Sequence, residues 1–319
     1  MEYKNLGRTG LQISRFGLGT VNFGMHVSEQ DAHLMMNHVF DQGINFFDTA
    51  DIYNDGLTES IIGNWFAQDR SRRDKIVLAT KAYFQVGEGP NDGRLSAYHI
   101  RRACESSLRR LQTDHIDVYQ MHHVDRRTPW EEIWQAMEQL VREGKVSYVG
   151  SSNFAGWDIA HAQGIADQRH FLGLVSEQSV YNLFVRTIEL EVIPCCRALG
   201  VGVVPYNPLG GGLLCGVLDD SGTGRRRDAR VQDEFKTHRP QLQAYEALCE
   251  SIGLPPASVA LAWVLTNPDI TAPIIGPRTF EQLEQNLSVL DLKLSDEVLA
   301  KLDEIWPGPG GEAPQAYAW

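Results

Sequence analysis

Asp48, Tyr53, Lys81 and His122 are the residues of this chain whose types could together move a proton. Asp48 and Tyr53 lie in INFFDTADIY, Lys81 ends IVLATK and His122 ends DVYQMH. A free phenol, with a pKa of about 10, is a sluggish acid at neutral pH. An adjacent ammonium such as Lys81 favours the phenolate, and a carboxylate such as Asp48 keeps that ammonium charged in a partly desolvated pocket. Tyr53 then becomes a usable proton donor. A neutral His122 imidazole either binds and orients the substrate oxygen or shares in the transfer. Taken singly, each has a structural explanation: a helix cap, a core tyrosine, a strand-end lysine, a satisfied buried histidine. Their recurrence at the ends of successive apolar, β-rich segments points instead to a common site.

Those segments are short and apolar, as buried parallel strands are. Eight such candidates fall near Phe16 to Gly19, Ile44 to Phe47, Ile76 to Thr80, Asp117 to Met121, Val146 to Gly150, Leu174 to Glu177, Gly202 to Pro205 and Pro273 to Gly276. Helical patterns lie between them. Ser96 reads as the N-cap of AYHIRRACESSLRRL, with Ile100, Ala103, Cys104, Leu108 and Leu111 on one face. Pro129 opens WEEIWQAMEQLVREG and Gly144 closes it. Strand-helix alternation with right-handed crossovers predicts a (β/α)₈ TIM barrel, whose active site forms at the C-terminal strand ends. YKNLGRTGLQIS reads as an N-terminal β-hairpin plugging the barrel bottom. Residues 1–319 are expected to form a single domain, with Asp219 to Pro240 as its longest irregular stretch. A Rossmann reading fails, because Asn22 stands where a third glycine should follow Gly17-Leu18-Gly19.

FFDTADIYNDGLTE, IVLATK and DHIDVYQMHH resemble the Asp/Tyr, lysine and histidine segments of the aldo-keto reductase superfamily. The resemblance runs from LGRTGLQISRFGLGTVNFG through GKVSYVGSSNF, VSEQSVYNL and VVPYNPLGGGLL to IIGPRTFEQLEQN. It implies a barrel that binds NADPH directly and reduces aldehydes or ketones, with Asp48, Tyr53, Lys81 and His122 carried over by position. LGTVNFG, NDGRLSAYHIRRACESSLRRL and YVGSSNFAGWDIAHAQ are particularly similar to the branch of deoxysugar-biosynthesis ketoreductases of actinobacteria. That branch implies a nucleotide-linked ketosugar as substrate; its close relatives include broad-specificity aldehyde reductases.

The cofactor is expected on the later barrel loops. Ser152, Asn153 and Gln178, just past the fifth and sixth strands, suit a nicotinamide carboxamide, and Tyr206 offers a ring to stack on. In Tyr206-Asn207-Pro208-Leu209-Gly210-Gly211-Gly212 the glycines let backbone N–H groups approach a pyrophosphate. Relatives often carry serine where this chain has Asn207. After Gly276, Thr279 reads as a helix N-cap. Arg278 adds bidentate charge to that helix end, Gln282 and Asn286 share a face, and Gln285 lies beside them. The resemblance puts the 2′-phosphate and adenine of NADPH there. Arg225, Arg226, Arg227 and Arg230 suit either an exposed loop or a flap.

Asn22, Phe23, Tyr83, Phe84 and His123, with the terminal Tyr317 and Trp319, are expected to wall an aromatic yet polar substrate pocket. A similar barrel also serves as the β-subunit of voltage-gated potassium channels, a binding and regulatory module. Those subunits depart at the histidine position, whereas this chain keeps all four residues. With 29 Lys and Arg against 41 Asp and Glu, a net charge of −12 argues against general affinity for nucleic acid or anionic membrane. No apolar run reaches the roughly 20 residues of a spanning helix, and the polar Met1 to Gly10 is no signal peptide, so a cytoplasmic location is expected. The five cysteines, odd in number and without a CxxC pair, predict reduced thiols and no metal site. The oligomeric state is left open.

Overall fold

The computed structural model describes residues 1–218 and 229–317. An antiparallel hairpin comes first, β1 (Tyr3–Asn5) pairing with β2 (Gln12–Ser14). Then follow β3 (Gly17–Gly19), α1 (Glu29–Asp41), β4 (Phe46–Asp48), α2 (Leu57–Gln68), β5 (Val77–Ala82), α3 (Ala97–Leu111) and β6 (Ile116–Met121). Next are α4 (Trp130–Arg142), β7 (Val146–Ser152), α5 (Gly156–Gln168), β8 (Leu174–Gln178), α6 (Val192–Leu199) and β9 (Gly202–Val203). The chain ends with α7 (Ala229–Thr237), α8 (Arg239–Ser251), α9 (Pro256–Thr266), β10 (Ile274–Ile275), α10 (Phe280–Leu287) and α11 (Asp296–Ile305).

Strands β3 to β10 form one parallel sheet in the order β10-β3-β4-β5-β6-β7-β8-β9. The sheet closes on itself where Thr271 N–H donates to Val203 O at 2.8 Å and Ile274 N–H to Pro205 O at 2.7 Å. The result is the (β/α)₈ barrel that the strand pattern predicts. Each of the eight strands overlaps its predicted segment, and the short ones are trimmed at the ends, where ladder bonds run out.

Residue parity along each strand sorts side chains to the two faces. Phe46, Val77, Ala79 and Val118 point into the barrel, while Phe47 and Leu78 pack outward against the helices. The hairpin contributes Leu6 and Ile13, both fully buried, to the interior cluster. It is tied to residues that precede or open strands: Arg8 N–H donates to Gly200 O at 2.7 Å and the Arg8 guanidinium to Leu174 O at 3.0 Å. The N-terminal end of the barrel is therefore plugged, and the opposite end carries the loops.

The helices follow their sequence signals. Ser96 Oγ accepts from His99 N–H at the start of α3, and Ile100, Ala103, Cys104, Leu108 and Leu111 are its buried face. Pro129 stands at the N-cap of α4, and Gly144 ends that unit at φ 70°. One expectation needs correcting. The stretch Asp219 to Pro240 is not irregular throughout: α7 occupies Ala229–Thr237, because Val231 and Phe235, four residues apart, pack together against the core. Arg225, Arg226, Arg227 and Trp319 lie outside the described residues, as do the side chains of Arg230 and Tyr317.

Candidate active site

Strands β4, β5, β6 and β8 bring their polar C-terminal residues onto one buried point. Lys81, fully buried, donates from Nζ to Asp48 Oδ2 at 2.7 Å, to the Thr49 carbonyl at 2.8 Å and to the Tyr53 hydroxyl at 3.5 Å. The other carboxylate oxygen, Asp48 Oδ1, accepts from Gln120 Nε2 at 3.1 Å and Gln178 Nε2 at 2.8 Å. An ammonium ordinarily loses its proton when buried. Burial pulls Lys81 down, but Asp48 and then Tyr53 outweigh it, and its pKa is raised.

Tyr53 reaches this cation from a tight turn. Asn54 and Asp55 take φ of 50° and 53° and Gly56 83°, so the chain reverses directly after the tyrosine and enters α2. The His122 ring stands edge-on to Tyr53, with centroids 5.8 Å apart. Burial, then the charge of Lys81, then His123 push its imidazole down to about 2, so it stays neutral at every physiological pH. A neutral imidazole donates one N–H and accepts at the other nitrogen, which suits it to a carbonyl oxygen. Asp51, two residues before Tyr53, is raised to about 8 by burial and then by Glu59.

Of the residues expected to wall the pocket, Tyr83, Phe84 and His123 do assemble beside His122. The Phe84 ring packs on His122 at 4.8 Å and on Tyr83 at 5.3 Å, and Tyr83 lies 5.3 Å from His123. Asn22 stands at the mouth of β3, where Nδ2 donates to Gly276 O at 2.9 Å, spanning to the mouth of β10. Phe23 is a correction: it is fully buried in the outer cluster with Phe16, Leu18 and Val27, because its loop folds back over α2 and Thr58 bonds its carbonyl.

The expected cofactor residues form a connected rim. Asn153, at φ 60°, donates from Nδ2 to His122 O at 3.2 Å and Ser152 Oγ at 3.0 Å, and accepts from the Tyr206 hydroxyl at 2.9 Å. Ser152 and Gln178 close their strands instead of following them, and both are already bonded within the protein: Ser152 Oγ to Gln178 O, and Gln178 Nε2 to Asp48. Asn207 Oδ1 accepts from Gly211 N–H at 2.6 Å, so this amide caps its own loop. Pro208 and Leu209 lead into three glycines whose φ values of 58°, 68° and 99° exclude side chains; a Cβ on Gly210 would lie 2.3 Å from the Phe184 ring. Thr279 Oγ1 caps α10 by accepting from Gln282 N–H, and Gln282 Oε1 accepts from Arg278 N–H at 2.9 Å. Gln285 is half-buried and Asn286 buried on that helix, with Gly276 exposed before it.

Gln120 was not singled out by its sequence context, although a glutamine two residues before His122 in an alternating strand falls on the same face. The carbonyl of Thr49 has no signature in a side-chain pattern.

With this geometry in place, the comparisons with known proteins are direct. The model of the aldo/keto reductase family matches residues 15–307. The chain belongs to that family. It is 56% identical over the whole of both chains to Uncharacterized oxidoreductase YrpG of Bacillus subtilis (strain 168). Versiconal hemiacetal acetate reductase of Aspergillus parasiticus is 32% identical, over 95% of this chain and 96% of its own. A probable voltage-gated potassium channel subunit beta of Arabidopsis thaliana is 31% identical, over 96% of each. Membership supports carbonyl reduction in general, and aldo/keto reductases typically use a nicotinamide cofactor. Among the described residues no single helix is long and apolar enough to cross a membrane.

The depressed His122 pKa has a measurable sign. The unfolded chain takes up a proton near pH 6.5 that the native imidazole refuses until about 2, so stability present above 6.5 is lost as pH falls. The His122 ring resonances should hold neutral positions from pH 8 to 5, and His122→Gln should lessen the stability lost between pH 7 and 5 by roughly 1–2 kcal/mol. A His122 signal that titrates near 6.5 would contradict this environment.

Proposed function

We propose that this protein is an NADPH-dependent aldo-keto reductase in which Tyr53 gives its proton to the carbonyl oxygen of an aldehyde or ketone. The observation that carries the reading is the Lys81 ammonium, shared between Asp48 and the Tyr53 hydroxyl. A cation there stabilises the negative charge that develops on the phenol oxygen as its proton leaves. Asp48, with both oxygens engaged, keeps that cation charged and in place. His122, neutral beside Tyr53, donates a hydrogen bond to the same carbonyl oxygen and fixes its approach.

The residues present fit a nicotinamide dinucleotide on chemical grounds. Ser152, Asn153, Gln178 and Tyr206 form a polar rim with one aromatic face, the glycine run puts no side chain between its backbone and a pyrophosphate although its own N–H groups are bonded within the loop, and the capped start of α10 beside Arg278 suits a phosphate. When bound, such a cofactor supplies the hydride. Gln178 and Asn153 would exchange some of their present protein bonds for bonds to the carboxamide. The same reading makes residues 1–319 one catalytic domain, acting in the cytoplasm.

For the substrate we favour a polar ketone, a nucleotide-linked keto-deoxysugar, over simple aldehydes. His122, His123 and Asn22 beside Tyr83 and Phe84 offer hydrogen-bond partners together with a flat apolar wall, which a hydroxylated ring needs. The relative named for versiconal hemiacetal acetate supports the reductive direction. The intact four-residue set favours catalysis over the regulatory role suggested by the channel-subunit relative.

Tyr53→Phe should retain NADPH affinity and lose roughly 10²–10⁴-fold in reduction of 4-nitrobenzaldehyde, the scale of general acid catalysis. Near-wild-type turnover would remove Tyr53 from the proton-donor role. Arg278→Ala should narrow the gap between the NADPH and NADH dissociation constants by roughly ten- to a hundredfold, as expected for losing a charge-assisted bond to phosphate. An unchanged gap would put the 2′-phosphate elsewhere. Finally, kcat/KM for a freshly generated nucleotide-linked ketosugar should exceed that for aromatic aldehydes; if it does not, a broad-specificity aldehyde reductase is what remains.

A further inference from the structure

Consecutive residues of β8 face opposite ways at its C-terminal end. Gln178 turns inward to Asp48, while Glu177 turns outward into a fully buried position. Its two carboxyl oxygens are both engaged. Oε1 accepts from Phe154 N–H at 3.1 Å and from Ser179 Oγ at 2.7 Å, and Oε2 accepts from Ser151 Oγ at 2.5 Å. Phe154 immediately follows Asn153, which holds a left-handed φ of 60° and whose side chain joins the mouths of three strands through His122 O, Ser152 Oγ and Tyr206 OH. An asparagine tolerates this conformation better than most residues, yet a single such residue needs its neighbours fixed to hold one orientation.

We propose that Glu177 is a positioning residue: in its carboxylate form it anchors the Phe154 amide and thereby holds the Asn153 junction in the geometry that receives the cofactor. Its effect on affinity rests on the cofactor reading above; its effect on the turn does not.

The shell around Glu177 consists of donors, which solvate a carboxylate. Phe154 N–H cannot reverse, whereas a serine hydroxyl can. Ser151 Oγ also lies 3.3 Å from Ser176 O and has an alternative acceptor there. A proton on Glu177 therefore removes the charge from these bonds and frees Ser151 to turn away, weakening the clamp. Burial pushes Glu177 up to about 7, against the pull of Ser151, Ser179, Phe154 and Asn153. The titratable groups that feel its charge are Cys195 and Cys196 of α6, whose thiols are themselves raised chiefly by burial and stay neutral near pH 7. The clamp should accordingly be strongest above pH 7 and weaken below it.

The test compares Glu177→Gln with the wild-type protein by NADPH fluorescence titration at pH 6 and pH 8. The ratio of their dissociation constants should be about 3–10 at pH 8, the scale of one weakened hydrogen bond, and close to 1 at pH 6. Titration of the cofactor phosphate or of other protein groups affects both proteins and cancels in the ratio. A ratio that does not change with pH would overturn the proposal. Amide hydrogen exchange of the cofactor-free wild type, corrected for the intrinsic pH dependence, supplies an arm that needs neither variant nor cofactor. Protection of the Phe154 amide should rise between pH 6 and 8 relative to amides of β5, and equal behaviour of the two would also overturn it. If wild type binds NADPH at neither pH, the cofactor reading fails, while the exchange arm still decides the role of Glu177.

Discussion

A single buried ammonium organises the active end of this barrel. Lys81 has no exposure to solvent, and an ion so placed is costly unless its partners are close and numerous. The structure supplies Asp48, the Thr49 carbonyl and Tyr53 to the ammonium, and Gln120 and Gln178 to the far side of Asp48. These groups come from β4, β5, β6 and β8 and from the turn after β4. No pair of adjacent strands could provide them; a closed barrel, whose strand ends face one another, can. Losing one partner would leave the opposite charge buried without compensation, so the site and the closure of the sheet depend on each other.

Register turns that requirement into geometry. Asp48 is level with Ala79, and Lys81 with Gln120, so on their own strands Asp48 sits one inward position above Phe46, and Lys81 and Gln120 one above Ala79 and Val118. Beneath them the barrel is filled by these side chains and by Leu6 and Ile13 of the hairpin. Water is thus kept from the ion pair on the lower side, and the interaction of Lys81 with Tyr53 is correspondingly less screened. The hairpin, remote from the chemistry, contributes to it by sealing the opposite end.

The strands were legible because parallel strands buried on both faces are apolar runs interrupted at one end by polarity, and the four acid-base residues were that polarity. The helix starting after Ser96 was legible through its cap. What the sequence concealed were contacts that depend on how elements meet. Gln120 looks like an isolated polar residue until Asp48 is seen opposite it. Phe23 reads as a pocket aromatic beside Asn22 on the loop after β3, but loop reversal buries it. What Asn207 bonds was not legible either: its amide oxygen closes its own turn on Gly211. The α7 helix was obscured by a surrounding run of arginines and aspartates, since only Val231 and Phe235 supply its apolar spacing.

The same cation divides the labour between the two polar groups that would meet a carbonyl. Positive charge at Lys81 helps the tyrosine oxygen become negative. It also adds to burial in keeping His122 from taking a proton. Were His122 protonated, a second strong acid would face the substrate oxygen, and its charge would oppose the ammonium across Tyr53. With His122 neutral, the proposed reading leaves Tyr53 as the group that would give the proton and the imidazole as the group that would bind and orient. Phe84 and Tyr83 reinforce this by packing against the two histidine rings, where rings are easier to desolvate than a cation would be. On that reading one electrostatic asymmetry would assign proton donation and substrate orientation to different side chains, and the aromatic wall beside an uncharged imidazole fits it.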